Sequence, residues 1–218
     1  MPSRGIVVSL CDITGTAVRP WADAGFECYC VDTQHSIRRE RVENGIHYVW
    51  GDVRSWAPPA PVAFLSAFPP CTHVAVSGAQ DWQKKGLPML RDALELFNAC
   101  QQVAQWSGAP YYIENPIGAF SAHVREPDFI FDPYQFGRYL DPPGDAYTKR
   151  TCLWTGGGFR MPVKRPVEPT EGSLMHLMSP GPERASERSA TPAGFARAVF
   201  EANVDQVDAK LPSTEKAA

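Results

Sequence analysis

The sequence predicts an α/β protein built on a mostly parallel sheet with helices on both faces. Three observations predict it. Short apolar and β-branched runs alternate with polar or amphipathic stretches along the first half of the chain. Each of these runs leads directly into a chemically useful residue: Asp12, Asp32, Asp52, Cys71 or Glu114. A chain of 218 residues with 44% apolar composition also has enough material for one core and a small appendage.

The first run is Ile6 to Cys11, after which DITGT turns the chain and VRPWADAGF carries a short helical pattern. Phe26 to Val31, His47 to Trp50 and Val62 to Ser66 are the next three strands, closed by Asp32, by Gly51-Asp52 and by Phe68-Pro69-Pro70. Between Pro88 and Ser107, residues Leu90, Leu94, Leu96, Phe97 and Val103 fall on or near one stripe of an amphipathic helix. PYYIENP is a fifth strand that ends in an acid. Ligands of such sheets collect outside the carboxyl ends of the strands, where all five polar residues fall.

Beyond residue 120 the periodicity lapses. Residues 121–148 are rich in Pro, Asp, Tyr and Phe, and KRTCLWTGG reads as a basic turn entering a strand. Residues 155–190 read as a loop excursion rich in Gly, Pro and charge. TPAGFARAVFEAN is the last helix, with Thr191 as its cap and Pro192 in its first turn. The predicted organisation is a main domain (1–154 with 191–203), an excursion (155–190) and a flexible tail (204–218).

No apolar run has the roughly 18 residues of a membrane helix. MPSRGIVVSL lacks a signal-peptide apolar region, so a cytoplasmic protein without a membrane partner is expected. The cysteines at 11, 28, 30, 71, 100 and 152 lie in or beside apolar stretches and read as reduced thiols. Cys28 and Cys30 form a CxC pair with no second pair nearby, so no metal is expected. A net charge of -3 offers no global field for nucleic acid, which leaves only a local basic face for that purpose.

CDITGTAVRPW, CVDTQ, GDVR, PPCTH and IENP follow one another in that order, with TKRTCLW behind them. Together they resemble the DNA cytosine-C5 methyltransferase family, especially its short phage-borne members, over roughly residues 6 to 203. The resemblance implies a Rossmann-like methyltransferase fold, S-adenosylmethionine as cofactor, double-stranded DNA as partner, base flipping, and, for a phage-encoded chain, the cytoplasm of a bacterial host. It implies catalytic roles for Cys71, Glu114 and Arg150. Asp12, Thr14, Gly15, Asp32, Asp52, Val53 and Pro69 would hold the cofactor, Asp32 through ribose and Asp52 with the Val53 amide through adenine. Thr72, His73, Gln80, Lys84, Lys85, Asn115 and Lys149 would contact the substrate. The stretch SGAQDWQKKG, in which Gln80, Trp82, Lys84 and Lys85 offer a wedge and phosphate contacts, would close over a flipped base.

The chemistry of the residue types agrees. Adding a thiolate to C6 of cytosine makes C5 nucleophilic, and a carboxylic acid at N3 relieves the charge that develops on the ring. Blander readings stand beside these: Cys71 as a buried small hydrophobe, Glu114 as half of a structural ion pair, the strand-end acids as caps, and Lys84 and Lys85 as solvated side chains. The chain also departs from the family. Ala17 stands where a second glycine is expected, Asp32 where glutamate is commoner, and the glutamine-arginine-x-arginine pattern is met only in part around Lys149 and Arg150. A sizeable recognition domain is replaced by the short 155–190 interval, which predicts loose sequence specificity and leaves a partner protein to supply the rest. Three alternatives remain: C5 modification of a free cytosine nucleotide, a catalytically silent module that binds DNA or protein, and methylation of an exocyclic amine, against which PPCTH argues.

Overall fold

The structure is a computed structural model that describes residues 4–76, 82–173 and 190–210, with all their side chains except those of Trp82 and Lys85. Its strands are β1 (Ile6–Leu10), β2 (Glu27–Asp32), β3 (Arg41–Glu43), β4 (Ile46–Trp50), β5 (Val62–Ala67), β6 (Tyr111–Pro116), β7 (Phe129–Phe131) and β8 (Thr151–Gly156). They form one sheet in the order β3-β4-β2-β1-β5-β6-β8-β7. β4, β2, β1, β5 and β6 are mutually parallel, while β3, β8 and β7 each pair antiparallel with a neighbour. Leaving aside the small β3, the parallel strands follow the doubly wound order, and the chain reverses direction across the sheet between β1 and β5. This is the Rossmann-like α/β sheet the sequence predicts.

The parallel strands are apolar because both faces are covered. On one side α2 (Trp82–Ser107) and α3 (Phe120–His123) pack Phe97, Cys100, Ala104 and Phe120 against Val8, Leu10, Leu65, Ile113 and Trp154. On the other, α1 (Arg19–Asp23), α4 (Ala193–Asp208) and a 3-10 helix (Pro133–Tyr139) bury Trp21, Phe136, Phe195 and Val199 against Val7, Phe64, Tyr112 and Leu153. Cys28 and Cys30 belong to this second layer, and no disulfide joins any cysteine. The polar Ser9 is tolerated in the middle of β1 because its hydroxyl receives a hydrogen bond from Ser66 (3.1 Å) and donates one to Asp12 (2.7 Å).

Several elements differ from the sequence expectations. β3 has all three residues exposed, so no apolar alternation betrays it. The aperiodic 121–148 region contains β7 and the 3-10 helix, both too short for a periodic signal. The helix expected from Pro88 starts at Trp82 and is kinked at Gly86 (φ 68°), so the second half of SGAQDWQKKG is helical; residues 77–81 lie outside the described set. Thr191 does not cap α4. That helix begins after Pro192, and the Gly194 amide is instead capped by Asp145 at 2.7 Å. α4 also continues to Asp208, beyond the expected tail boundary at 204, because Val207 is buried in the second layer.

Candidate active site

The carboxyl edge of the parallel strands gathers the five predicted strand-end residues. Asp12 follows β1, Asp32 ends β2, Asp52 follows β4, Cys71 follows β5 and Glu114 lies two residues before the end of β6. β5 and β6 are hydrogen-bonded neighbours, which puts Cys71 and Glu114 on adjacent strand ends. The two approach the edge from opposite layers: Cys71 packs on the α2 side, while Glu114 shares the face of its cross-strand partner Leu153 in the other layer.

Three hydrogen bonds tie their loops together. Asn115 Nδ2 donates to the Pro69 carbonyl (2.6 Å), the Ala119 amide to Val74 (2.8 Å) and the Val76 amide to Ile117 (3.1 Å). Gly118 sits where these loops touch, and a methyl group there would lie deep inside the Val74 carbonyl oxygen. We expect Gly118→Ala to cost about 1–3 kcal/mol in denaturant unfolding, with a larger fractional loss of activity than of folded protein.

Glu114 is 9% exposed. Burial pushes its carboxyl above the usual carboxylate range, and the Lys149 ammonium opposes that rise. Lys149, itself 7% exposed, reaches the site because β8 runs antiparallel: Thr151 pairs with Pro116, so the residues entering β8 arrive at the carboxyl edge. The family resemblance gives Arg150 a catalytic role and Lys149 a substrate contact. In the structure Lys149 is buried near Glu114, and Arg150 is exposed. Neighbouring residues alternate sides as the chain enters a strand, so only one of the two can face inward.

The loop after β1 is organised by Asp12, which is 5% exposed. Its Oδ1 accepts from the Thr14 amide (2.8 Å), the Thr14 hydroxyl (3.0 Å) and the Gly15 amide (2.9 Å), while Oδ2 accepts from Ser9. Asp12 therefore shapes the loop, and its carboxylate is committed there. Gly15 has φ 72°, and a Cβ would stand 2.7 Å from the Tyr48 hydroxyl. Tyr48 donates to the Thr14 carbonyl (3.3 Å), and His35 Nε2 lies 2.9 Å from the Asp12 carbonyl. Neither Tyr48 nor His35 carried any sequence signal, because strand pairing and a loop return bring them to Thr14 and Asp12.

Asp32 accepts from the Gln34 amide through Oδ1 (2.8 Å). Asp52 is bound by Arg54 through both oxygens, which holds its carboxyl below the usual range. The Pro69 carbonyl is taken by Asn115, and Val53 is buried under the α2 layer. Thr72 and Lys84 are exposed, and His73 is half-buried. Gln80 lies outside the described residues, as do the side chains of Lys85 and Trp82. Among the described residues, the buried side-chain polar atoms without a hydrogen-bond partner are His73 Nδ1, Glu114 Oε1 and Asn115 Oδ1. All three belong to the joined loops.

Among the described residues there is no cluster of metal-ligating side chains and no helix long and apolar enough to cross a membrane. No protein-family model matches the chain, and no curated protein matches it. Among solved structures it is similar to the glycopeptide N-methyltransferase MtfA, with 13% identity over 78% of this chain and 69% of that one, at a TM-score of 0.32. The doubly wound strand order is what makes the sheet Rossmann-like.

Proposed function

We propose that the chain transfers a methyl group from S-adenosylmethionine to C5 of cytosine in DNA. The observation that carries the reading is the concentration of unpartnered buried polar atoms, His73 Nδ1, Glu114 Oε1 and Asn115 Oδ1, in the two loops that hold Cys71 and Glu114. Buried polar groups are almost always satisfied, so this cluster fits a polar ring supplied from outside.

The cofactor fits the other half of the edge. Asp32 keeps Oδ2 without a hydrogen bond among the described residues, at the strand end where an acid meets ribose hydroxyls. Tyr48 fills the space a side chain at Gly15 would need, which fixes the shape of the Thr14-Gly15 turn, and Thr14 is exposed at its tip. When bound there, the cofactor supplies an electrophilic methyl group. Asp32 and the Thr14-Gly15 turn would hold it, while Asp52 with Arg54 would border the adenine end.

On the substrate, the Cys71 thiolate forms a bond to C6 and the C5–C6 π electrons move toward C5. Glu114, whose burial favours the protonated carboxyl, donates its proton toward N3 as negative charge gathers on the ring. Lys149 limits the cost when Glu114 becomes anionic. After C5 is methylated, loss of the C5 proton to water expels the thiolate, and the N3 proton returns to Glu114, which restores the ring.

The test is label transfer from S-adenosylmethionine into DNA, RNA and dCMP in separate reactions, with the product nucleoside identified by mass spectrometry. Label in 5-methylcytosine from DNA is expected. Label in dCMP alone moves the substrate to a free nucleotide, and label at the exocyclic amine rejects the thiol mechanism.

A further inference from the structure

The sheet also brings together two thiols that the proposed chemistry does not use. Cys11 Sγ, at the exit of β1, lies 4.0 Å from Cys100 Sγ in the interior of α2. Cys100 is fully buried, whereas Cys11 is half-buried and so is the member a small solute reaches first. Cys11 has φ 55°, a left-handed conformation that side-chain-bearing residues seldom adopt, and its amide is held by the Val31 carbonyl at 2.7 Å. It directly precedes Asp12, whose carboxylate gathers the Thr14 and Gly15 amides.

We infer that Cys11 and Cys100 form an oxidative modification site, converted by a peroxide into an intramolecular disulfide that distorts the loop after β1. The Cys11 thiolate attacks the peroxide O–O bond, giving a sulfenic acid and releasing hydroxide. The Cys100 sulfur then displaces the sulfenic hydroxyl, which leaves as water with the Cys100 proton. Two thiols lose two hydrogens, and one peroxide is reduced to two waters. A disulfide needs an S–S separation of about 2.05 Å, so the sulfurs must close roughly half their present gap. Cys100 is fixed within a packed helix, so the movement falls on Cys11 and drags Asp12 with it. The consequence for cofactor binding rests on the proposed function; the oxidation itself does not.

The experiment treats the full chain carrying Cys71→Ser with hydrogen peroxide, blocks remaining thiols with N-ethylmaleimide and maps peptides without reductant. A Cys11–Cys100 linked peptide is expected, reversed by dithiothreitol and absent from a chain that also carries Cys100→Ala, where dimedone instead labels Cys11. Alkylation of both Cys11 and Cys100 after peroxide treatment overturns the proposal, as does a link from either to another cysteine. S-adenosylmethionine binding, measured by calorimetry, is expected to weaken at least about tenfold on oxidation and to recover on reduction. Unchanged affinity with the link formed overturns the distortion. Absence of binding to the reduced chain counts against the proposed function alone, since the peptide map still decides the thiol pair.

Discussion

Cys71→Ala is expected to lower methyl transfer into DNA by about a thousandfold or more while leaving S-adenosylmethionine affinity within roughly a factor of two. The size follows from the chemistry, since without addition at C6 the ring has little nucleophilicity at C5. The selectivity follows from the loop. Cys71 contributes its carbonyl to the Val74 amide (3.0 Å) and the Ala75 amide (2.9 Å), and alanine keeps both bonds. A second readout uses DNA with fluorine in place of the C5 hydrogen. Fluorine cannot leave as a cation, so the sulfur–C6 bond persists and the protein migrates with DNA on a denaturing gel. Activity in Cys71→Ala above a tenth of the parent would remove the thiol from the mechanism.

Glu114→Gln is expected to cost about 10²- to 10⁴-fold in turnover and, at neutral pH, to stabilise the fold. Burial raises the Glu114 carboxyl above its unfolded value, so over the window between the two values the folded state binds more protons than the unfolded state. Stability of the parent chain therefore falls as pH rises through that window and levels off above the folded value. Below the unfolded value, near 4.5, both states are protonated and the penalty vanishes. Glutamine removes this dependence. Thermal unfolding across a pH series should show the variant's advantage growing upward from about pH 4.5 and then holding constant. A variant less stable than the parent at pH 8 would mean that the Lys149 attraction outweighs the desolvation of the acid. Activity of the parent should decline as Glu114 loses its proton, a limb that the glutamine variant lacks.

How much of this was legible in the sequence depends on how far each feature lies from its cause. Asp32 and Glu114 were readable because an apolar strand announces its own end, and a parallel sheet puts such ends on one edge. The thiol loop and IENP were readable as a pair because their strands are neighbours. Lys149 was readable as a cation but not as the buried one, because its burial follows from β8 running against β6. The commitment of Asp12 to its own loop depends on a turn only three residues long, while the pairing of Asp52 depends on a side chain two residues away. Either acid could as well have faced a ligand, and nothing in the spacing decides. The cap of α4 was misread because Asp145 acts across 49 residues and displaces the local candidate Thr191.

The joined loops have one more consequence. The Asn115–Pro69, Ala119–Val74 and Val76–Ile117 bonds make residues 69–76 and 114–119 a self-bracing cassette on two adjacent parallel strands. Its internal spacing is set by its own backbone and not by whatever surrounds the sheet edge. A protein engineer can therefore treat it as portable: transplanted onto another doubly wound scaffold with two neighbouring strands in the same register, it should arrive with its geometry already set.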